Sequence, residues 1–141
     1  MMKIVLLVLL SLSSLTIAQN TSTQKIQNDY LLAENYYREG AYEKASQLFK
    51  KLYESSTFNT QYLGRLISCY QETSKFLMVE KILLNRLEKN KSQAYLYVYL
   101  GYNYERQLQL KKANENYILA LSSLEKKNSI WWRYWTAFQR I

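Results

Sequence analysis

Three stretches decide the fold: LAENYYREGAYEKASQLFKKL at residues 32–52, LISCYQETSKFLMVEKILLNR at 66–86, and LGYNYERQLQLKKANENYILA at 100–120. Each starts 34 residues after the one before. In each, the opening leucine is followed four residues on by a tyrosine, Tyr36, Tyr70 or Tyr104. A short polar break leads to an apolar residue (Tyr42, Phe76, Leu110), then to a small or branched one (Ala45, Val79, Ala113), then to a bulky one (Phe49, Leu83, Tyr117). Spacings of three and four put these residues on one stripe of a helix. The polar break divides each stretch into two helices. The small residue lets the second approach the first, and the bulky one fills the space a turn later. Gly40 stands where the first helix should end in a left-handed residue. Ser74 and Leu108 occupy that place in the other two stretches, so those turns must form without glycine. One such helix pair cannot bury its own stripe, whereas several in succession build a continuous core.

Working outward, the opening MMKIVLLVLLSLSSLTIAQN has one cation, Lys3, an apolar run and small residues ahead of Gln19. That pattern is an export signal over residues 1–18. Its apolar part is too short for a spanning helix, which needs about twenty residues. Residues 19–25 are expected to be a flexible lead-in, and 26–141 a single helical domain divided at about 26–59, 60–93, 94–127 and 128–141. The last fourteen residues, NSIWWRYWTAFQRI, hold all three tryptophans of the chain. A further step of 34 residues makes Trp131, Tyr134, Trp135 and Phe138 the stripe of a fourth first-helix capping the third pair. Ile130, Ala137 and Ile141 add apolar surface where a cap is normally polar. The expectation is therefore a longer protein, or a last helix that docks on a partner or a second copy.

Composition removes several function classes. The chain has no histidine, no proline and one cysteine among 141 residues. Without histidine it lacks the usual metal ligand and the usual general base near neutral pH. Cys69 cannot form an internal disulfide and is expected in the core. No phosphate-binding loop, nucleophile–base pair or metal-ligand spacing appears, and the expectation is a protein that is not an enzyme and uses no cofactor or metal. The formal charge of +8 is spread without a run of five like charges, and an exported protein seldom meets nucleic acid, so the charge is read as serving solubility and no nucleic-acid partner is expected. Asn20-Thr21-Ser22 and Asn90-Lys91-Ser92 fit a glycosylation triplet, informative only in a eukaryotic host.

The repeated pattern resembles the tetratricopeptide repeat, whose signature runs Trp, two residues, Leu-Gly, two residues, Tyr, then Ala, three residues, Phe, then Pro. The third stretch matches best, with Leu100-Gly101, Tyr104, Ala113, Tyr117 and Ala120. The first has Ala33 for the glycine, and the second has Ile67 and Val79 for the glycine and alanine. All three lack the closing proline, where Thr57, Lys91 and Glu125 stand. The resemblance implies an all-α solenoid of helical hairpins in a right-handed superhelix, about three repeats plus one extra helix, with ligands held on a concave face lined by first helices.

On that face the off-stripe residues are Tyr30, Glu34, Tyr37 and Arg38 in the first unit, Gln71 and Glu72 in the second, and Tyr102, Glu105 and Arg106 in the third. Trp132 adds to them in the last helix. These are the candidate partner-binding residues. Some members of the family clamp a partner's C-terminal carboxylates with lysine and asparagine. Here the equivalent positions carry Tyr30, Glu34, Ser68, Tyr95 and Tyr99, so that clamp is missing. The lysines of the second helices, Lys44, Lys50, Lys81 and Lys111 among them, are expected on a solvated face open to weak contact with an anionic envelope surface.

The expected function is an exported scaffold, in the periplasm or cell envelope of a bacterium. It would bind a protein or peptide through the concave face or the aromatic end, with self-association through the last helix and no small-molecule substrate. Two rival expectations are the extracytoplasmic sensory domain of a signalling receptor, and a glycan-binding module that stacks sugars on Tyr37, Tyr102 and Trp132.

Overall fold

The computed structural model describes the backbone over residues 23–138 and the side chains as far as Glu125. The proposed export signal over residues 1–18 lies outside the described residues. The fold is all-α. Helix α1 spans 23–38, and it is followed by α2 (Tyr42–Ser55), α3 (Thr60–Glu72), α4 (Phe76–Lys89), α5 (Ala94–Glu105) and α6 (Leu110–Phe138). No strand occurs among the described residues. The second helices open at Tyr42, Phe76 and Leu110, the three apolar residues that follow the polar breaks in the sequence. Residues 23–25, expected in a flexible lead-in, already belong to the first turn of α1.

The turns inside the three pairs share one hydrogen-bond pattern. Gly40, Ser74 and Leu108 all have positive φ, at 74°, 57° and 59°. Their N–H groups donate to the carbonyls of Tyr37, Gln71 and Glu105, at 3.1, 3.2 and 2.9 Å. The next N–H groups, of Ala41, Lys75 and Gln109, reach back to Tyr36, Tyr70 and Tyr104, at 2.9, 2.7 and 2.9 Å. This is the Schellman arrangement, which satisfies the last carbonyls of a helix by a left-handed residue just beyond it. Its recurrence at one period makes the repeat a property of the backbone as well as of the side chains.

The chain divides into two compact units, one ending at Cys69 and the other beginning at Tyr70. In the first unit the core residues include Ala33 of α1, Ala45, Phe49 and Leu52 of α2, and Leu63, Leu66, Ile67 and Cys69 of α3. Spacings of four and three in α2 place Ala45, Phe49 and Leu52 on one face. Asn59 opens α3, accepting from the N–H groups of Gln61 (2.9 Å) and Tyr62 (3.2 Å) as a helix cap does. Leu32 differs from its counterparts: Leu66 and Leu100 are buried, and Leu32 is exposed. A first helix is covered by the pair before it, and no helix precedes α1 among the described residues.

In the second unit α4, α5 and α6 pack around Val79, Leu83, Leu87, Leu96, Leu100, Ala113 and Ala120. Gly101 is buried against Tyr117 of α6. A Cβ at position 101 would lie 2.6 Å from Cδ1 and 2.9 Å from Cζ of that ring. The two helices therefore approach more closely there than any other residue would permit. Tyr104 donates to Glu80 at 2.6 Å, and Asn103 donates to the Phe76 carbonyl at 3.1 Å, tying α5 to α4.

The last element departs from expectation. The sequence predicts a turn near residue 127 and a separate fourth first-helix; instead α6 runs unbroken from Leu110 to Phe138, 29 residues. The cause lies in the residues that replace the loop. Ser56-Thr57-Phe58-Asn59 and Asn90-Lys91-Ser92-Gln93 separate the earlier pairs, and Asn59 and Asn90 both make local side-chain bonds that compete with helix. One period on stand Leu124-Glu125-Lys126-Lys127, four strong helix formers with no breaker among them. The extra helix expected from the period is thus absorbed into α6.

Candidate functional site

The predicted contact residues fall into two groups, one in each compact unit. In the first unit Tyr30, Glu34 and Tyr37 of α1 are brought together, but by α3 rather than by an open groove. Gln61 Nε2 donates to the Tyr30 hydroxyl at 2.6 Å, and the Tyr30 ring lies 5.8 Å from that of Tyr62 and 6.2 Å from Phe49. Arg65 Nε donates to Glu34 Oε1 at 2.7 Å, and its guanidinium sits 4.8 Å from the centre of the Tyr37 ring. Tyr37 also meets Tyr42 edge-on at 5.3 Å. Burial, followed by the hydrogen bond and charge of Glu34, raises the Tyr30 pKa. Expected as groove residues, these three largely hold α3 to α1. Arg38 is the one of the four that remains exposed, donating to Asn35 one turn back.

Arg65 and Gln61 were not among the predicted residues. Their signal is visible in hindsight: 31 residues separate both Tyr30 from Gln61 and Glu34 from Arg65, one period less about one turn. That offset is the register at which neighbouring first helices touch.

In the second unit Glu72 and Arg106 are joined, Arg106 Nη1 donating to Glu72 Oε1 at 2.9 Å and Nη2 to the Gln71 carbonyl at 3.4 Å. Both side chains keep about a third of their surface in water, where an ion pair contributes at most about 1 kcal/mol. Gln71 itself is not presented: the residue is buried and its Nε2 has no hydrogen-bond partner. Glu105 leans to α6, accepting from the Tyr117 hydroxyl at 2.7 Å. Burial, with Glu105 second, pushes the Tyr117 pKa up to about 12. Tyr102 is exposed and lies beside Arg106. The side chain of Trp132 lies outside the described residues.

Of the clamp positions, Ser68 donates to the Gly64 carbonyl of its own helix at 3.0 Å, and Tyr95 accepts from Arg86 at 3.0 Å. Lys44, Lys50, Lys81 and Lys111 are exposed. No group of histidine, cysteine and carboxylate side chains that could hold a metal occurs among the described residues.

One repeat position remains exposed in each of the two units. Arg38, Glu72 and Arg106 occupy one repeat position, each 34 residues from the next, and all three are exposed. In the second unit Glu72 and Arg106 form a mixed-sign pair with an aromatic neighbour in Tyr102. Such a surface offers hydrogen bonds and ion pairs.

No protein-family model matches the sequence, and no curated protein matches it. Solved structures match its fold. The type III secretion translocator chaperone SycD of Yersinia enterocolitica is 16% identical, with a TM-score of 0.62 over 89% of this chain and 96% of its own. PcrH in complex with the chaperone binding region of PopB is 15% identical, with a TM-score of 0.57 over 71% of this chain and 81% of that one. The first tetratricopeptide repeat domain of Spaghetti, bound to the HSP90 peptide SRMEEVD, is 21% identical, with a TM-score of 0.55 over 71% and 79%. Together with the recurring helix pairs and Schellman turns, these likenesses establish that the chain has the tetratricopeptide-type helical-hairpin repeat fold.

Proposed function

We propose that the protein is a non-enzymatic scaffold that holds a segment of another protein against exposed residues of its first helices, above all Glu72, Tyr102 and Arg106 of the second unit. The observation that carries this is the repeat position Arg38, Glu72 and Arg106. Elsewhere on the same helices Tyr30, Glu34, Tyr37 and Gln71 are drawn into packing, whereas this position stays in water in every unit. The Glu72 and Arg106 pair offers both charges to a peptide that carries both signs. Tyr102 supplies a flat apolar surface beside it. The fold supports the reading, since PcrH and Spaghetti are seen with peptide-like segments of other proteins. Recognition of a free C-terminal carboxylate by a lysine and asparagine clamp is not part of the proposal, because Tyr30, Glu34, Ser68, Tyr95 and Tyr99 stand at those positions.

Residues 1–18 are proposed as an export signal that places this scaffold in the periplasm or cell envelope. Amino-terminal sequencing of the native product tests it: a start at Gln19 agrees, and an intact Met1 contradicts it.

Selection of peptides from a displayed random library tests the binding face. The retained peptides should lose about tenfold in affinity, roughly 1.4 kcal/mol, when Arg106 is changed to alanine. They should be unaffected by Lys81→Ala on the exposed side of α4. Peptides insensitive to both Arg38→Ala and Arg106→Ala would refute the assignment.

A further inference from the structure

The contacts that α3 makes on α1 define how a following first helix covers the one before it. Tyr62 and Gln61 lie on Tyr30, and Arg65 spans Glu34 and Tyr37. Advanced by two periods, the covered residues become Val98, Tyr102 and Glu105 of α5, and the covering residues become Ser129, Ile130 and Arg133. The covered side is bare. Val98 is 47% exposed and Tyr102 44%, and beside them on α6 Ile118 and Leu121 are 56% and 63% exposed. The chemistry of the counterparts fits: isoleucine for valine, and an arginine for a tyrosine ring and a carboxylate, as in the first unit.

The chain's own residues 128–138 cannot take that place while α6 is unbroken. At 1.5 Å per residue, Ser129 and Arg133 lie about 12 and 18 Å further along the helix than Leu121. We propose that a second copy of the chain supplies the cover. The 128–138 segments of two copies exchange, each lying along the α5–α6 flank of the other, with residue 130 at the register position of Val98 and residue 133 at that of Tyr102 and Glu105. Exchange of an identical element between two copies gives a closed two-fold pair, with each flank completed by its partner. Arg38, Glu72 and Arg106 are not among the covered residues and Tyr102 is common to both surfaces; the inference rests on the repeat register and not on the peptide-binding reading.

Sedimentation of the purified protein and thiol cross-linking test it together. The wild-type protein should sediment as a dimer, and Arg133→Glu should weaken association at least about tenfold, because it puts a carboxylate against Glu105. A Val98→Cys chain and an Ile130→Cys chain should each stay uncross-linked alone, and should give a covalent dimer after mixing, unfolding and refolding. Cys69 is buried and stays in place as the internal control. A chain carrying both changes that closes a disulfide within a monomer would show that the segment folds back on its own unit, and would overturn the proposal. A wild-type monomer, or a dimer with no Val98–Ile130 cross-link, would overturn it equally.

Discussion

At the scale of single residues, the account turns on side chains held in places the repeat dictates rather than places they favour. Leu108 is left-handed at φ 59° and 85% exposed, so it carries backbone strain without burying its side chain. A left-handed conformation costs an ordinary residue about 1–2 kcal/mol, and glycine returns part of that gain through its greater freedom in the unfolded chain. Leu108→Gly should therefore stabilise the protein by about 0.5–1 kcal/mol in urea unfolding, and a loss of stability would show that the turn is not left-handed. Tyr104 is the other telling residue. Burial first, and its hydrogen bond to Glu80 second, push its pKa up to about 12. The folded state thus prefers neutral tyrosine more strongly than the unfolded state does, and that contribution is intact below about pH 10. It is lost as the pH rises through 12. Stability should fall between those values, and Tyr104→Phe should make the fall shallower; an unchanged slope would deny Tyr104 that role.

At the scale of helices, close approach is bought at one point, where Gly101 admits the ring of Tyr117. Gly101→Ala gains about 1 kcal/mol of helix propensity and loses about 1–3 kcal/mol to overpacking, because the ring is held by Glu105 at its far end. The variant should be less stable than the wild type, and the loss should disappear when Tyr117 is also alanine. A loss of the same size in both backgrounds would mean that the ring is not what Gly101 accommodates. Helix boundaries were the most legible part of the sequence, since Tyr42, Phe76 and Leu110 stand at fixed offsets from the leucines and open all three second helices. The α6 boundary was misread for a physical reason. A period says where a turn belongs, but Leu124-Glu125-Lys126-Lys127 has no residue that ends a helix, and local propensity won.

For the whole molecule, the fold was legible because hydrophobic period, small-residue positions and turn positions agree with one another. The candidate site was legible only in part. A helical wheel identifies residues off the core stripe, and it does not say which of them the next helix will cover. Glu34 and Tyr37 were read as presented to a ligand and are engaged by Arg65, while Gln71 turned inward at a helix end. Arg38, Glu72 and Arg106 stayed outside, and the proposed recognition of a partner rests on them. The central claim is that three 34-residue units recur in the backbone itself. Backbone chemical shifts and three-bond amide couplings at residues 40, 74 and 108 test it most directly. The account predicts left-handed values at Gly40, Ser74 and Leu108 alike, with slow amide exchange at Ala41, Lys75 and Gln109. Right-handed or extended values at Ser74 and Leu108 would contradict it.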